Sequence, residues 1–306
     1  MTKSANQSPK PNLMGYALGV DIGGTFTDLA LIERHSGKLN VGKVLTDYGD
    51  VSRGVMNGLE KILKENQVDP SDVRVFVHGT TLATNALIER RGAKTALIVT
   101  RGFRDILSMG RESRYDIYDI EIDLPDPLVP RALVYELTER IGAQGEIETP
   151  LDEAEVRKLA QQINDSGIDA VAVCLLHSFR NSAHEQAIAD IFSDEAPEIS
   201  VSLSYDVSPG IGEYERASTT VANAYVRPVM RRYLDDLKAK LEAAGVAASD
   251  PLIMTSDGGT IPRATAAKYP VRLIESGPAG GAMAASFIGQ KSNYGDLIAF
   301  DMGGTT

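Results

Sequence analysis

Apolar residues along the chain fall into two alternating spacings. Short continuous or period-two runs predict strands, and runs near period 3.6 predict helices. YALGV (16–20) reads as a buried strand. TFTDLALIE (25–33) reads as a second, and KLNVGKVLT (38–46) as a third, joined through the turn His35-Ser36-Gly37. VSRGVMNGLEKILKEN (51–66) carries Val51, Val55, Leu59, Ile62 and Leu63 at helical spacing. VRVFVHG (73–79) is a strand ending at His78, TLATNALIERRG (81–92) a helix stopped by Gly92, and KTALIVT (94–100) a strand. An irregular stretch with three prolines follows at 110–130, a length that loops reach when they are functional or packed as a flap. RALVYELTERI (131–141) with the Gly142/Gly145 turn suggests a hairpin. LDEAEVRKLAQQINDSG (151–167) is an amphipathic helix, IDAVAVCLLH (168–177) a fully buried strand, and SAHEQAIADIF (182–192) a helix.

A second region begins near Ser204. Residues 208–245 are mostly helical, with Pro228 marking a kink or break. PLIMTSDGGT (251–260) is a strand running into a Gly-Gly turn, ESGPAGGAMAASFIGQ (275–290) a glycine-rich entry to a helix, and DLIAFDMGGTT (296–306) a strand. The organisation is α/β, without short repeats or low-complexity segments. The expected division is a disordered tail over 1–13, a first domain over 14–203 and a second region over 204–306.

Bulk properties narrow the function. The 306 residues are 43% hydrophobic, enough for a real core. Acidic residues outnumber basic ones 42 to 31, a formal charge of −11 that repels phosphate backbones and argues against nucleic-acid binding. The lone Cys174, within AVAVCLLH, makes no internal disulfide and reads as a core thiol. The sequence shows no secretory signal and no apolar run long enough to span a membrane, so the cytoplasm is the expected compartment.

One motif occurs twice. DIGGTFTD (21–28) follows the first strand, and DMGGTT (301–306) ends the chain. Each copy is an apolar run, Asp, one apolar residue, Gly-Gly and Thr; the first continues into an alternating run, which makes a strand–turn–strand hairpin. Glycines let a phosphate reach backbone N–H groups, threonine hydroxyls donate to its oxygens, and an Asp at a strand end is a hard ligand for Mg²⁺. The candidate phosphate contacts are therefore Gly23, Gly24, Thr25 and Thr27, with Gly303, Gly304 and Thr305 from the second copy. Asp21 and Asp301 would share the metal and serve the chemistry. Neither a P-loop nor a G-x-G-x-x-G fingerprint is present.

These two motifs resemble the phosphate motifs of the actin-like ATPase superfamily, whose fold is a duplicated ribonuclease-H-like α/β domain. More specifically, GVDIGGTFTD, HGTTLATNALIERRGAKTALIVTRGFRDIL (78–107), GIGEYERASTTVANAYV (210–226), SDGG (256–259), ESGPAGG (275–281) and DMGGTT resemble the hydantoinase A/5-oxoprolinase family. One departure is Asn181-Ser182, where that family has Asn-Pro. The resemblance implies a ribonuclease-H-like lobe of actin/hexokinase type plus the incomplete start of a second lobe, an N-terminal fragment unable to turn over ATP at a useful rate. It implies ATP and Mg²⁺ as cofactors, and hydrolysis of a cyclic amide, hydantoin or 5-oxoproline, through phosphoryl activation of the carbonyl oxygen. It also allows the ATP-using subunit of a ketone carboxylase. In both cases a second, hydantoinase B-type subunit is implied. A non-catalytic ATP switch or reactivating factor is the alternative outside enzymes, and a sugar kinase fits the remaining motifs less well.

HGTTLATN supplies the candidate substrate site. His78, Thr80, Thr81 and Asn85 stand at the carboxyl end of a strand, where α/β sheets place ligands. His78 is expected to contact substrate or phosphate and to serve catalysis; Thr80 and Thr81 read equally as N-caps. Arg101, Arg104, Arg111 and Arg114 form either an anion site or a solvated loop. Glu213, Glu215 and Arg216 read equally as helix-end charges or as catalytic groups. His177 and His184 have poor spacing for zinc, and His35 lies in a turn. SGPAGG reads more readily as close packing than as an anion site.

Overall fold

The computed structural model describes residues 14–47, 49–113, 116, 118–119, 121–122 and 125–302. The elements, in chain order, are β1 (Tyr16–Ile22), β2 (Phe26–Glu33), β3 (Leu39–Leu45), α1 (Val51–Asn66), β4 (Val73–Thr80), α2 (Leu82–Ile88), β5 (Thr95–Thr100) and α3 (Ile106–Met109). Next come β6 (Val134–Leu137), β7 (Arg140–Ile141), β8 (Ile147–Thr149), α4 (Glu153–Asp165), β9 (Ala170–Cys174), α5 (Ala183–Glu195), β10 (Ser200–Leu203) and α6 (Ser204–Val207). The described elements close with α7 (Glu213–Ala243), β11 (Leu252–Met254), β12 (Thr260–Pro262), α8 (Arg263–Lys268) and α9 (Ser276–Ser292). Two compact units interleave in sequence. One takes the chain up to Asn85, Arg231–Lys268 and the residues from Arg272 on; the other takes Ala86–Met230 and Tyr269–Val271. The expected division at 203/204 is by contrast a single cut.

The first unit is built on a six-stranded sheet ordered β12-β11-β4-β1-β2-β3. β1, β2 and β3 form an antiparallel meander, and β4 and β11 add parallel strands. Antiparallel neighbours need only short turns, which the glycines after Ile22 and Ser36 supply, whereas parallel β4 needs a crossover, which α1 provides. Asp50 caps α1 by accepting from the Arg53 N–H at 2.9 Å, and Gln67 closes it with φ 55°. Val55, Leu59, Ile62 and Leu63 of α1 are buried, as their spacing predicts. At Gly58 a Cβ would lie 2.7 Å from Leu29 Cδ1, so only glycine lets the helix come this close to β2.

The second unit holds a parallel sheet, β10-β9-β5-β6. Alternate residues of its strands fill two separate cores. Ala96, Ile98, Val171 and Val173 pack with α4 and α5, while Leu97, Val99, Ala170, Ala172 and Cys174 pack with Ala217, Val221 and Ala224 of α7. Burial on both faces explains the unbroken apolar runs.

Three expectations need correction. Residues 134–137 join the parallel sheet beside β5, so the hairpin is confined to β7 and β8. Pro228 does not break α7, which runs through it, so of the kink or break expected there the break is excluded. A proline inside a helix costs about 3 kcal/mol, but Val226, Met230, Leu234, Leu237 and Leu241 are fully buried around it, each worth about 1.5–3 kcal/mol. Residues 296–302 form no strand: no described strand pairs with them, and Ile298 and Phe300 are 94% and 84% exposed. An extended apolar run needs a hydrogen-bonded neighbour to become a strand. The tail over 1–13 and the second motif beyond Met302 lie outside the described residues.

Candidate functional site

The site lies where β1 ends. Gly23–Thr25 turn the chain into β2, and the Gly23 N–H donates to Phe26 O at 2.9 Å. Thr46, which follows β3, braces this turn twice: its N–H donates to Thr25 O at 3.0 Å and its hydroxyl donates to Gly23 O at 3.0 Å. That leaves Thr46 Oγ1 to accept from Thr27 Oγ1, 3.2 Å away. Thr27, expected to touch phosphate, is 1% exposed and faces this bracing network instead. The N–H groups of Gly24 and Thr25 stand outside this network. They have no backbone acceptor among the described residues, and Thr25 is exposed.

Asp21 stands opposite Gly79 on β4 and Asp28 on β2. A Cβ at Gly79 would lie 2.7 Å from Asp21 Oδ1, so the carboxylate rests on bare backbone. More than a third of Asp21 remains open to solvent. Its pKa is nevertheless raised, first by partial desolvation and then by the negative charges of Asp28 and Asp301. Asp301 is therefore near enough to repel it. Asp28 is paired with Lys43 Nζ at 3.0 Å. Asp21 has no cation within ion-pair distance among the described residues, and an opposite charge there would favour its ionised form. Gly303, Gly304 and Thr305 lie outside the described residues.

Asp21 and Asp28 border a cleft of about 490 Å³, lined also by Gly79 and neighbours on β1–β4, by Met254, and by Gly277, Gly280, Gly281 and Ala284 of α9. Close packing accounts for Gly280, where a Cβ would meet Met254 at 3.0 Å. Gly277 and Gly281 instead have nothing within 4 Å of an added Cβ. Sequence reasoning singles out neither Met254 nor Asp28. Asp28 is the last residue of DIGGTFTD and carries no signal there apart from the motif itself.

His78 sits beside the cleft but is fully buried. Its Nδ1 lies 3.2 Å from Val20 O and its Nε2 2.6 Å from the Tyr233 hydroxyl. A carbonyl only accepts, so Nδ1 carries the proton, and Tyr233 donates to Nε2. Burial lowers the imidazole pKa to about 4, so the ring is neutral near pH 7. Direct contact of His78 with a substrate is thus not what this geometry offers, because both nitrogens are engaged inside the protein. Thr80 Oγ1 accepts from Leu82 N at 3.2 Å, where the chain enters α2. Thr81 Oγ1 donates to Ile22 O at 3.3 Å and accepts from Asn85 Nδ2 at 3.3 Å. The last two side chains remain half-buried.

Several of the other candidates bond protein groups. Arg101 pairs with Glu155 at 3.1 Å and Arg111 with Glu215 at 2.6 Å, both exposed; Arg104 donates to Arg131 O at 3.3 Å; Arg114 lies outside the described residues. Arg216 is 1% exposed and donates to Leu175 O at 2.6 Å. His184 Nδ1 bonds Glu139 at 2.7 Å, and His177 Nδ1 lies 2.9 Å from Ile141 O. No group of three potential metal ligands occurs among the described residues. Burial pushes the Cys174 thiol up to about 11, in keeping with an inert core residue. No helix of the described residues is long and apolar enough to cross a membrane.

The fold is α/β, with an aspartate at the end of β1 lining a small-residue cleft. Comparison with known proteins is specific. Residues 17–196 match the hydantoinase/oxoprolinase N-terminal region and residues 216–306 match hydantoinase/oxoprolinase, so the chain belongs to that family. It is 38% identical over 96% of its length to an uncharacterised protein of Methanocaldococcus jannaschii, covering 43% of that protein. It is 35% identical to the caprolactamase alpha subunit of Pseudomonas jessenii, over 95% of this chain and 42% of the subunit. The crystal structure of that ATP-dependent caprolactamase superposes with a TM-score of 0.81 over 94% of this chain and 42% of the other. The nucleotide-free structure of acetone carboxylase gives 0.83 at 29% identity, over 92% and 42%. The chain thus spans about two-fifths of the length of these relatives.

Proposed function

We propose that this chain is the phosphate- and metal-binding part of an ATP-dependent hydrolase of cyclic amides. The observation that carries this reading is Asp21, held over Gly79 at the mouth of a glycine-lined cleft and repelled by two neighbouring carboxylates. A divalent cation would offset that repulsion, and Mg²⁺ suits an all-oxygen donor set. Asp21 and Asp301 would hold it. Gly24 and Thr25 would donate their N–H groups to phosphate oxygens, while Thr27 and Thr46 keep the turn rigid. Gly303, Gly304 and Thr305 belong to the same proposal as the opposing phosphate loop. Bound Mg²⁺ neutralises charge on the phosphates; the residues of this chain position and orient.

A lactam or imide carbonyl is a poor electrophile. Transfer of the γ-phosphoryl group from ATP to its oxygen, with release of ADP, would make the carbon electrophilic; water would add there, the ring C–N bond would break as the nitrogen takes a proton, and hydrolysis of the resulting acyl phosphate would release phosphate. Thr81 and Asn85 are the candidates for substrate contact, with Thr80 and His78 shaping that corner from within. The likeness to a caprolactamase subunit supports the amide reading and a second, hydantoinase B-type subunit as partner. The likeness to acetone carboxylase supports one other reading, phosphorylation of a ketone's enol oxygen. A cytoplasmic location belongs to the same proposal. Phosphate release from ATP, measured for the protein together with its partner subunit, separates these readings. Stimulation by caprolactam, hydantoin or 5-oxoproline is expected; stimulation by acetone with bicarbonate alone would favour the carboxylase, and stimulation by none of them would refute both.

A further inference from the structure

We infer that Tyr233 is a positioning residue for the Asp21 carboxylate, acting through His78. The inference rests on the reading of the Asp21 cleft given above. Tyr233 belongs to α7, and no residue of that helix is among those lining the cleft. It reaches the cleft wall through two hydrogen bonds in series. Its hydroxyl, on a residue only 8% exposed, donates to His78 Nε2 at 2.6 Å. The Nδ1–H of the same ring then donates to Val20 O, 3.2 Å away.

The register makes this relay consequential. Val20 is paired with His78 across the parallel β1–β4 ladder, and the next pair is Asp21 with Gly79. The relay therefore pins the pair immediately before the one on which the carboxylate rests. An imidazole has two neutral tautomers of similar energy. Val20 O, which only accepts, selects the Nδ1–H form, and Tyr233 completes that form by donating to the Nε2 lone pair inside the protein. Losing the phenol O–H leaves a buried acceptor unpaired and frees the ring to turn. Val20 and Asp21 are then free to shift against Gly79.

The test uses the whole protein with nitrogen-15 labelling and compares wild type, Tyr233→Phe, His78→Asn and the double variant. In wild type the His78 ring nitrogens are expected to report a single Nδ1–H tautomer. In Tyr233→Phe the Nε2 resonance is expected to lose its hydrogen-bond shift, and the amide resonances of Asp21 and Gly79 to move as the ring reorients. His78→Asn retains an N–H donor for Val20 O, so it should keep those amides near their wild-type positions and make Tyr233→Phe silent in the double variant. With Mg²⁺ and ATP as the probe, Tyr233→Phe should raise the Kd by about tenfold. Unmoved Asp21 and Gly79 amides in Tyr233→Phe would overturn the inference, as would equal shifts in the presence and absence of His78. If Tyr233→Phe does not fold, His78→Asn decides alone: displaced Asp21 and Gly79 amides despite its retained donor would overturn the relay. Failure of wild type to bind Mg²⁺-ATP would instead sink the functional reading, while the ligand-free resonances still decide the relay.

Discussion

The two sheets treat inward-drawn carboxylates in opposite ways. In the second unit Glu185 and Glu139 are answered by their neighbours. Glu185 is fully buried and accepts from Leu175 N at 2.9 Å, Ser204 Oγ at 2.6 Å and Tyr205 N at 3.1 Å. Glu139 is met by Thr100 and His184. In the first unit the Asp21 carboxylate is brought up against two others, with no cation of the described residues on it. Closed polar networks hold a fold together, whereas an open one leaves binding energy for something from outside. The comparison separates residues that build the chain from residues that equip it.

The largest expected effect falls on the closed side. Glu185→Ala strands three donors in the second unit and should cost about 4 kcal/mol of unfolding free energy, read by denaturant titration. A loss under about 1 kcal/mol would show that this network is not what stabilises the sheet.

The next effect is a pH dependence. The folded pKa of His78, about 4, lies below the ordinary value of 6.5, so the unfolded chain takes up the proton first. The neutral form contributes stability that is present above pH 6.5 and is lost as pH falls towards 4, by as much as about 3 kcal/mol. Replacing His78 with Asn should flatten that segment of the stability profile; an unchanged slope would locate the titration elsewhere.

Two glycine-to-alanine substitutions then set the regions side by side. At Gly92, in the second unit, a Cβ would lie 2.1 Å from the Tyr225 ring, so Gly92→Ala should destabilise by about 2 kcal/mol. At Gly79 the obstructed atom is Asp21 Oδ1. That side chain is free to swing towards solvent, so Gly79→Ala should leave the melting temperature nearly unchanged and weaken Mg²⁺-ATP binding about tenfold. The reverse pattern would erase the distinction.

How much of this was legible in the sequence follows from local physics. Period-two and period-3.6 patterns located β1–β5, α1, α4, α5 and the long α7, because each is determined by its own alternation of apolar and polar positions. Residues 134–137 and 296–302 were misread because strand formation depends on a partner, and a partner is not visible in a local pattern. That α7 continues through Pro228 was not legible, because the burial around it is tertiary. At the site, Asp21 and the turn glycines were legible from their chemistry, and the family resemblance from whole motifs. Thr27 was assigned to phosphate, whereas its buried hydroxyl bonds Thr46. The engagement of both His78 nitrogens was hidden as well, since Tyr233 stands 155 positions away. Asp28 closes the DIGGTFTD motif, yet its place opposite Asp21 follows only from the hairpin register.

The central claim is that Asp21 awaits a divalent cation with a nucleotide. Calorimetric titration of ATP into wild type and Asp21→Asn, each with and without Mg²⁺, tests it most directly. The account predicts Mg²⁺-dependent binding in wild type, a loss of about tenfold or more in Asp21→Asn, and a melting temperature in that variant equal to or above wild type, because repulsion from Asp28 and Asp301 is relieved. Binding that ignores both Mg²⁺ and the substitution would contradict it.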